Sequence, residues 1–229
     1  MSQLTYSPAD RLDLQHAGAA AGLAAGPLFL TAVAANTWAS MDFLRGLGWQ
    51  LIGGKDIPWP SSLAVGPYGW VQIAAFVLAG ALMMVFGVGL RRALPARRWS
   101  TAAVVLVVTA GAAIAASAFP VDAEMIDTGN ASTWHGWIHG IAFLVVLPSI
   151  LLAPIMTALA VRGDARWRGL TGPSLAATPI MIALLVAPLG NAGFYLFLAA
   201  AFGWIAVTAA RLRRLSWERR QAQRGNQLH

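Results

Sequence analysis

Six stretches of this chain run for a bilayer's width without an aspartate, glutamate, lysine or arginine: residues 17–40, 69–90, 101–119, 136–161, 172–189 and 192–210. A hydrocarbon core about 30 Å thick takes roughly 20 apolar residues of helix. Each run is long enough to cross, the fifth near the lower limit. Pro27, Pro148, Pro154, Pro179 and Pro188 fall within or at the ends of these runs. They argue against strands, because a proline kink in a membrane helix is tolerated where neighbouring helices satisfy the freed carbonyl. Of the 229 residues 58% are hydrophobic and 11% charged, and the mean hydropathy is +0.62. That is more apolar than a soluble domain that must cover itself with charge. The expected fold is all-α: one membrane domain, a polytopic transmembrane bundle of six helices.

The positions of the basic residues orient the bundle. Arg91, Arg92, Arg97 and Arg98 follow the second run, Arg162, Arg166 and Arg168 the fourth, and Arg211, Arg213, Arg214, Arg219, Arg220 and Arg224 the last, together 13 of the 16 basic residues. The alternate loops hold only Arg45 and Lys55. The positive-inside rule places the arginine loops and both termini in the cytoplasm. The net charge of +7 thus reflects topology, with basic residues at helix ends and not in a nucleic-acid-binding patch. The basic tail, 211–229, is expected to extend the last helix into the cytoplasm, fray, and be drawn to anionic lipid headgroups. Cysteine is absent, which removes disulfides, iron–sulfur clusters and thiolate chemistry.

The first run is read as a helix and not a cleaved leader, since "SPADRLDLQH" ahead of it has no net positive charge. Its Gly18, Gly22 and Gly26 form a small-residue ridge that lets another helix approach closely. The long segment between the first two spans is expected to form a partly helical outer cap, with Trp49, Trp59 and Tyr68 in the headgroup region.

Chemistry-bearing residues gather in "FPVDAEMIDTGNASTWHGWIHG", residues 119–140, between the third and fourth spans. Asn130, Ser132 or Thr133 is expected to cap the fourth helix. His135 and His139 lie one turn apart on one helix face. With Asp122 as third ligand they suit a divalent metal such as zinc, and Glu124 or Asp127 could then act as base for a metal-bound water. The same residues also suit a hydrogen-bonded helix start, in which Asp122 pairs with His135. No glutamate stands beside the histidines as in the HExxH pattern, and histidines one turn apart cannot take both axial positions of one haem iron. Ser117 or Ser132 with a histidine is a further option without a supporting motif. Asn36, Gln72 and Asn191 share this leaflet and either line a pocket or bond helix to helix.

The chain resembles the DUF998 family of six-span bacterial membrane proteins, a family of uncharacterised activity. The likeness rests on "GPLF", "GPYGWVQIAAFVLAGALMMVFGVGLRRAL", "FPVD" and "WHGWIHG". It implies a six-helix bundle in a bacterial cytoplasmic membrane, with Asp122, His135 and His139 at motif positions. The resemblance implies a polar, often acidic or histidine-bearing segment after the first span; here it reads "GGKDIPWP", with a single Asp56 and no histidine. Three functions remain open: metal-assisted hydrolysis of a lipid or amphiphile, a non-catalytic binding or assembly subunit contacting lipid and other membrane proteins, and a transporter. The last is disfavoured by spans that carry no ionisable group near their centres.

Overall fold

The structure, a computed structural model, describes residues 8–55 and 57–226; Asp56 lies outside the described residues. The described residues form eight α-helices: α1 (Pro8–Ala39), α2 (Met41–Gly46), α3 (Gly69–Ala93), α4 (Arg98–Ala116), α5 (Ala123–Thr128), α6 (Trp134–Val161), α7 (Thr171–Val186) and α8 (Asn191–Asn226). Short 3₁₀ turns cover Ser61–Val65 and Ala165–Trp167. The described residues form no strand beyond an isolated bridge between Trp49 and Gly54.

Five helices, α1, α3, α4, α6 and α8, are long and apolar enough to cross a membrane. The fifth apolar run is a shorter helix, since α7 has 16 residues and is about 24 Å long at 1.5 Å per residue. Its end has a local cause. Ala187 is extended (φ −66°, ψ 141°), the conformation favoured ahead of a proline, so Pro188 stops the helix before the apolar run ends.

The six apolar helices close into a ring in chain order. α1 packs on α3, α3 on α4, α4 on α6, α6 on α7, α7 on α8, and α8 returns to α1. The glycine ridge of α1 is used inside this ring: Gly18 meets Gly89 of α3, Gly22 meets Phe86 and Ala209, and Gly26 meets Phe202 of α8. It is therefore covered by the chain's own helices and is not a surface for a partner.

The two ends of the ring differ. One carries the arginine clusters, knitted by Arg97 donating to the Arg162 carbonyl (2.9 Å) and by the Arg166–Asp164 pair (2.6 Å). At that end α8 remains helical to Asn226. Leu212 and Leu215 are buried, and Arg219 and Arg220 reach Gln15 (3.4 Å) and Asp13 (2.7 Å) of α1, so the first half of the segment expected to fray is held to the bundle; residues 227–229 lie outside the described residues. At the opposite end Trp38, Trp70, Trp134 and Trp137 are largely exposed, as amphipathic rings are at a membrane interface.

That second end is roofed by residues 40–68, here called the cap. Trp49 and Trp59 are buried in it, not placed among headgroups. Their rings stack 5.9 Å apart, Trp59 stacks on Tyr195 at 6.1 Å, and the Trp59 indole N–H donates to Thr37 (3.2 Å). Burying two indoles supplies the cap with a core of its own. Only Tyr68 of the three aromatic residues is well exposed.

A candidate site where the cap meets α6

Asp122 is held by backbone. Its Oδ1 accepts from the Met125 amide (2.7 Å) and caps α5; its Oδ2 accepts from the amides of Ser132 and Thr133 and from the Thr133 hydroxyl, each at 3.0 Å. The Thr133 oxygen in turn accepts from Gly136 N–H (3.1 Å) and caps α6. One carboxylate thus satisfies free donors at the starts of two helices, the arrangement an unpaired helix N-terminus favours. Burial pushes the Asp122 carboxyl up, but the hydrogen bonds from Met125, Thr133 and Ser132 outweigh it and hold the pKa at about 2. With the folded value below the ordinary 3.8, the stabilisation is complete above about pH 4 and is lost as pH falls toward 2. Thermal unfolding midpoints measured from pH 6 to pH 2.5 are expected to fall steeply below pH 4. In Asp122→Ala the midpoint is lower throughout and that part of the acid slope is missing.

The two histidines grip the other side of the same corner. His135 Nδ1 donates to the Pro120 carbonyl (2.9 Å) and His139 Nδ1 to the Phe119 carbonyl (2.8 Å). Both carbonyls follow the end of α4, where the helix has no further donors of its own to offer. A carbonyl only accepts, so each Nδ1 carries its proton. For His139 this leaves Nε2 as the acceptor of the neutral ring, and it lies 2.8 Å from Ser61 Oγ in the cap.

Asp122, His135 and His139 gather at one corner, but the expected Asp122–His135 pair does not form, since Asp122 caps the helix starts and His135 reaches the Pro120 carbonyl. Among the described residues no group of three His, Cys, Asp or Glu side chains could hold a metal ion. Asp122 spends both carboxylate oxygens on the two helix starts, and each histidine spends Nδ1 on a carbonyl at the end of α4. Of the two proposed bases, Glu124 is exposed, and Asp127 pairs with Lys55 of the cap at 3.0 Å. Asn36 and Asn191 act as tethers, Asn36 donating to the Tyr68 carbonyl (3.3 Å) and Asn191 to that of Gln50 (2.8 Å). Gln72 is wholly buried, and neither end of its amide reaches a protein partner. Ser117 donates to the Ala113 carbonyl (3.0 Å) and Ser132 is exposed. The serine that does meet a histidine, Ser61, lies 78 residues before it in the chain, and no local motif announces it.

Two cavities meet at the Ser61–His139 contact. Below it an apolar slot of about 80 Å³ runs between α6 and α8. One wall is the α6 stripe His139, Phe143, Val146, Leu147 and Ile150; the other is the α8 stripe Phe194, Phe197, Leu198, Ala201, Phe202 and Ile205. Each stripe spans twelve residues, roughly 16 Å of helix. The polar side chains of its lining, Ser61, Ser117 and His139, all come from the cap end. Above the contact is an open mouth of about 760 Å³, bordered by Gly53–Lys55, Asp127, Thr128 and Asn191. Ser61, His139, Phe143 and Phe194 line both spaces, which makes them the throat between a polar opening and an apolar interior.

The family model described as "Protein of unknown function (DUF998)" matches residues 60–213, which include Ser61, Asp122, His135 and His139. The chain belongs to the DUF998 family. No curated protein and no solved structure matches it. In this DUF998 protein the "FPVD" and "WHGWIHG" segments have a legible structural task. They lock the end of α4 to the start of α6 and so hold His139 Nε2 facing the cap.

Proposed function

We propose that this DUF998 protein binds an amphiphile with one long apolar chain, tail in the slot and polar group in the mouth. The observation that carries this reading is the polarity of the cavity pair: an apolar slot whose polar side chains lie at the end that opens into a wide mouth of mixed lining, where Lys55, Asp127, Thr128 and Asn191 stand. The stripes that line the slot extend over roughly 16 Å of helix, about one leaflet of a 30 Å hydrocarbon core; at about 80 Å³ the slot itself takes the first few methylenes, and the lining side chains must part to admit the rest of the chain. An apolar cavity excludes water, and an apolar chain restores the dispersion contacts that an empty slot forfeits. The direct test is retention of a long-chain fatty acid by purified, delipidated protein, read by native mass spectrometry. Ala201→Phe, which fills the slot, is expected to weaken retention at least tenfold. Val207→Phe, on an exposed face of α8, leaves it unchanged. Equal retention in both variants overturns the reading.

In the same proposal the arginine end faces the cytoplasm and the mouth faces outward, supported by the arginine asymmetry. The absence of native cysteine makes the check simple. An impermeant maleimide applied to intact cells is expected to label Asn130→Cys but not Gln221→Cys, and the reverse pattern would invert the topology.

A further inference from the structure

We infer that Ser61 and His139 are a nucleophile and its general base, acting on an acyl ester whose chain lies in the slot; this rests on the amphiphile-binding reading. The geometry has the parts such a pair needs. Ser61 Oγ is at hydrogen-bond distance from His139 Nε2, 2.8 Å, within the range for proton transfer. The base is oriented by a third group, because the Phe119 carbonyl accepts from Nδ1 at 2.8 Å and fixes the tautomer with Nε2 free to accept. The ring is held edge-on by Phe76 at 6.2 Å. Neither side chain is sealed away: both line the slot and the mouth, so an ester carbonyl at the throat has its acyl chain on one side and its alcohol group on the other. A neutral carbonyl replaces the carboxylate of a full triad. It holds the ring as well but stabilises the imidazolium less, so a slow enzyme is expected.

The chemistry closes without a metal. Ser61 Oγ bonds to the ester carbonyl carbon while His139 Nε2 takes the hydroxyl proton. The bond from that carbon to the alcohol oxygen breaks, and the proton on Nε2 passes to the departing oxygen, leaving acyl-Ser61. Water from the mouth then adds to the acyl carbon as Nε2 takes its proton; the carbon–Oγ bond breaks and Oγ regains the proton. The net change is ester plus water to carboxylic acid plus alcohol.

A Ser–His hydrogen bond can also merely pin a loop to a helix, and the test separates the two roles. Full-length protein in nanodiscs is treated with a dodecyl fluorophosphonate and analysed by intact mass and peptide mapping, with fatty-acid retention measured on the same preparations. The expected result is a single adduct on Ser61, lost in Ser61→Ala, kept in Ser117→Ala, and formed at least about 100-fold more slowly in His139→Gln, the scale of general-base assistance. Wild-type protein that retains the fatty acid but forms no Ser61 adduct overturns the catalytic role and leaves binding intact. So does an adduct that forms equally fast in His139→Gln. If His139→Gln does not fold, absence of selective Ser61 labelling in the wild type, with other serines labelled as readily, is by itself decisive against the pair. Loss of both retention and labelling in folded wild type removes the binding reading and the inference together.

Discussion

Alanine at Gly89, or at Gly18 opposite it, is expected to destabilise the bundle, although alanine is ordinarily the better helix former. A methyl at Gly18 would sit 2.7 Å from Gly89 Cα and 3.2 Å from the Val85 carbonyl; one at Gly89 would sit 2.7 Å from Gly18 Cα and 2.9 Å from the Leu14 carbonyl. Every one of these neighbours is backbone, which no rotamer change can move aside. The two helices must separate. Exchanging glycine for alanine inside a helix gains about 0.5–1 kcal/mol, whereas forcing atoms into a packed contact costs about 1–3 kcal/mol. The collision wins. Thermal unfolding followed by tryptophan fluorescence is expected to show a lower midpoint for either variant, and a greater loss for leucine at the same positions. An unchanged midpoint would mean that α1 and α3 do not meet at these glycines.

Gly136→Ala is the second large effect, and it has a sharper signature. A methyl at Gly136 would fall on Asp122 Oδ2, so the carboxylate must swing away from the amides of Ser132 and Thr133 and the Thr133 hydroxyl. The expected loss is again about 1–3 kcal/mol, reversing the sign of the helix propensity. Because the damage passes through one side chain, it should vanish when that side chain is gone. In an Asp122→Ala background, Gly136→Ala is expected to be neutral or mildly stabilising, a coupling that a double-mutant cycle measures directly. Additive effects would show that the carboxylate does not occupy this corner.

The helical runs were readable from sequence because a bilayer imposes a length and forbids charge, and those two constraints leave few alternatives. Thr133 was readable as a cap for a similar reason, since a short polar side chain before an apolar run has little else to do. The glycine ridge was visible by spacing, but its partners Gly89, Phe86 and Phe202 were not, because helix contacts lie far apart in the chain. At α7 the count of uncharged residues overstated the helix, since Pro188 acts on the residue before it while leaving the apolar run unbroken. Trp49 and Trp59 misled because an indole suits an interface and a small core equally well.

The site was legible in its location and not in its wiring. Asp122, His135 and His139 do gather where the sequence placed them. Their hydrogen bonds were not legible because backbone groups leave no mark in side-chain spacing: three amides hold the Asp122 carboxylate, and two carbonyls fix the histidine rings through Nδ1. Ser61 was invisible for a related reason. Only the folding of the cap over α6 brings "PSS" to the histidine.

The binding of an amphiphile in the slot is tested most directly by photo-crosslinking in reconstituted membranes, using a fatty acid with a mid-chain diazirine and mapping the modified peptides. Adducts are expected on the facing stripes of α6 and α8, at Val146, Leu147, Leu198 and Ala201. They should be displaced by excess unlabelled fatty acid and be lost in Ala201→Phe. Adducts confined to outward-facing positions such as Leu144 and Val186, undiminished by competitor, would mean that the chain lies only in the surrounding lipid, and would contradict the proposal.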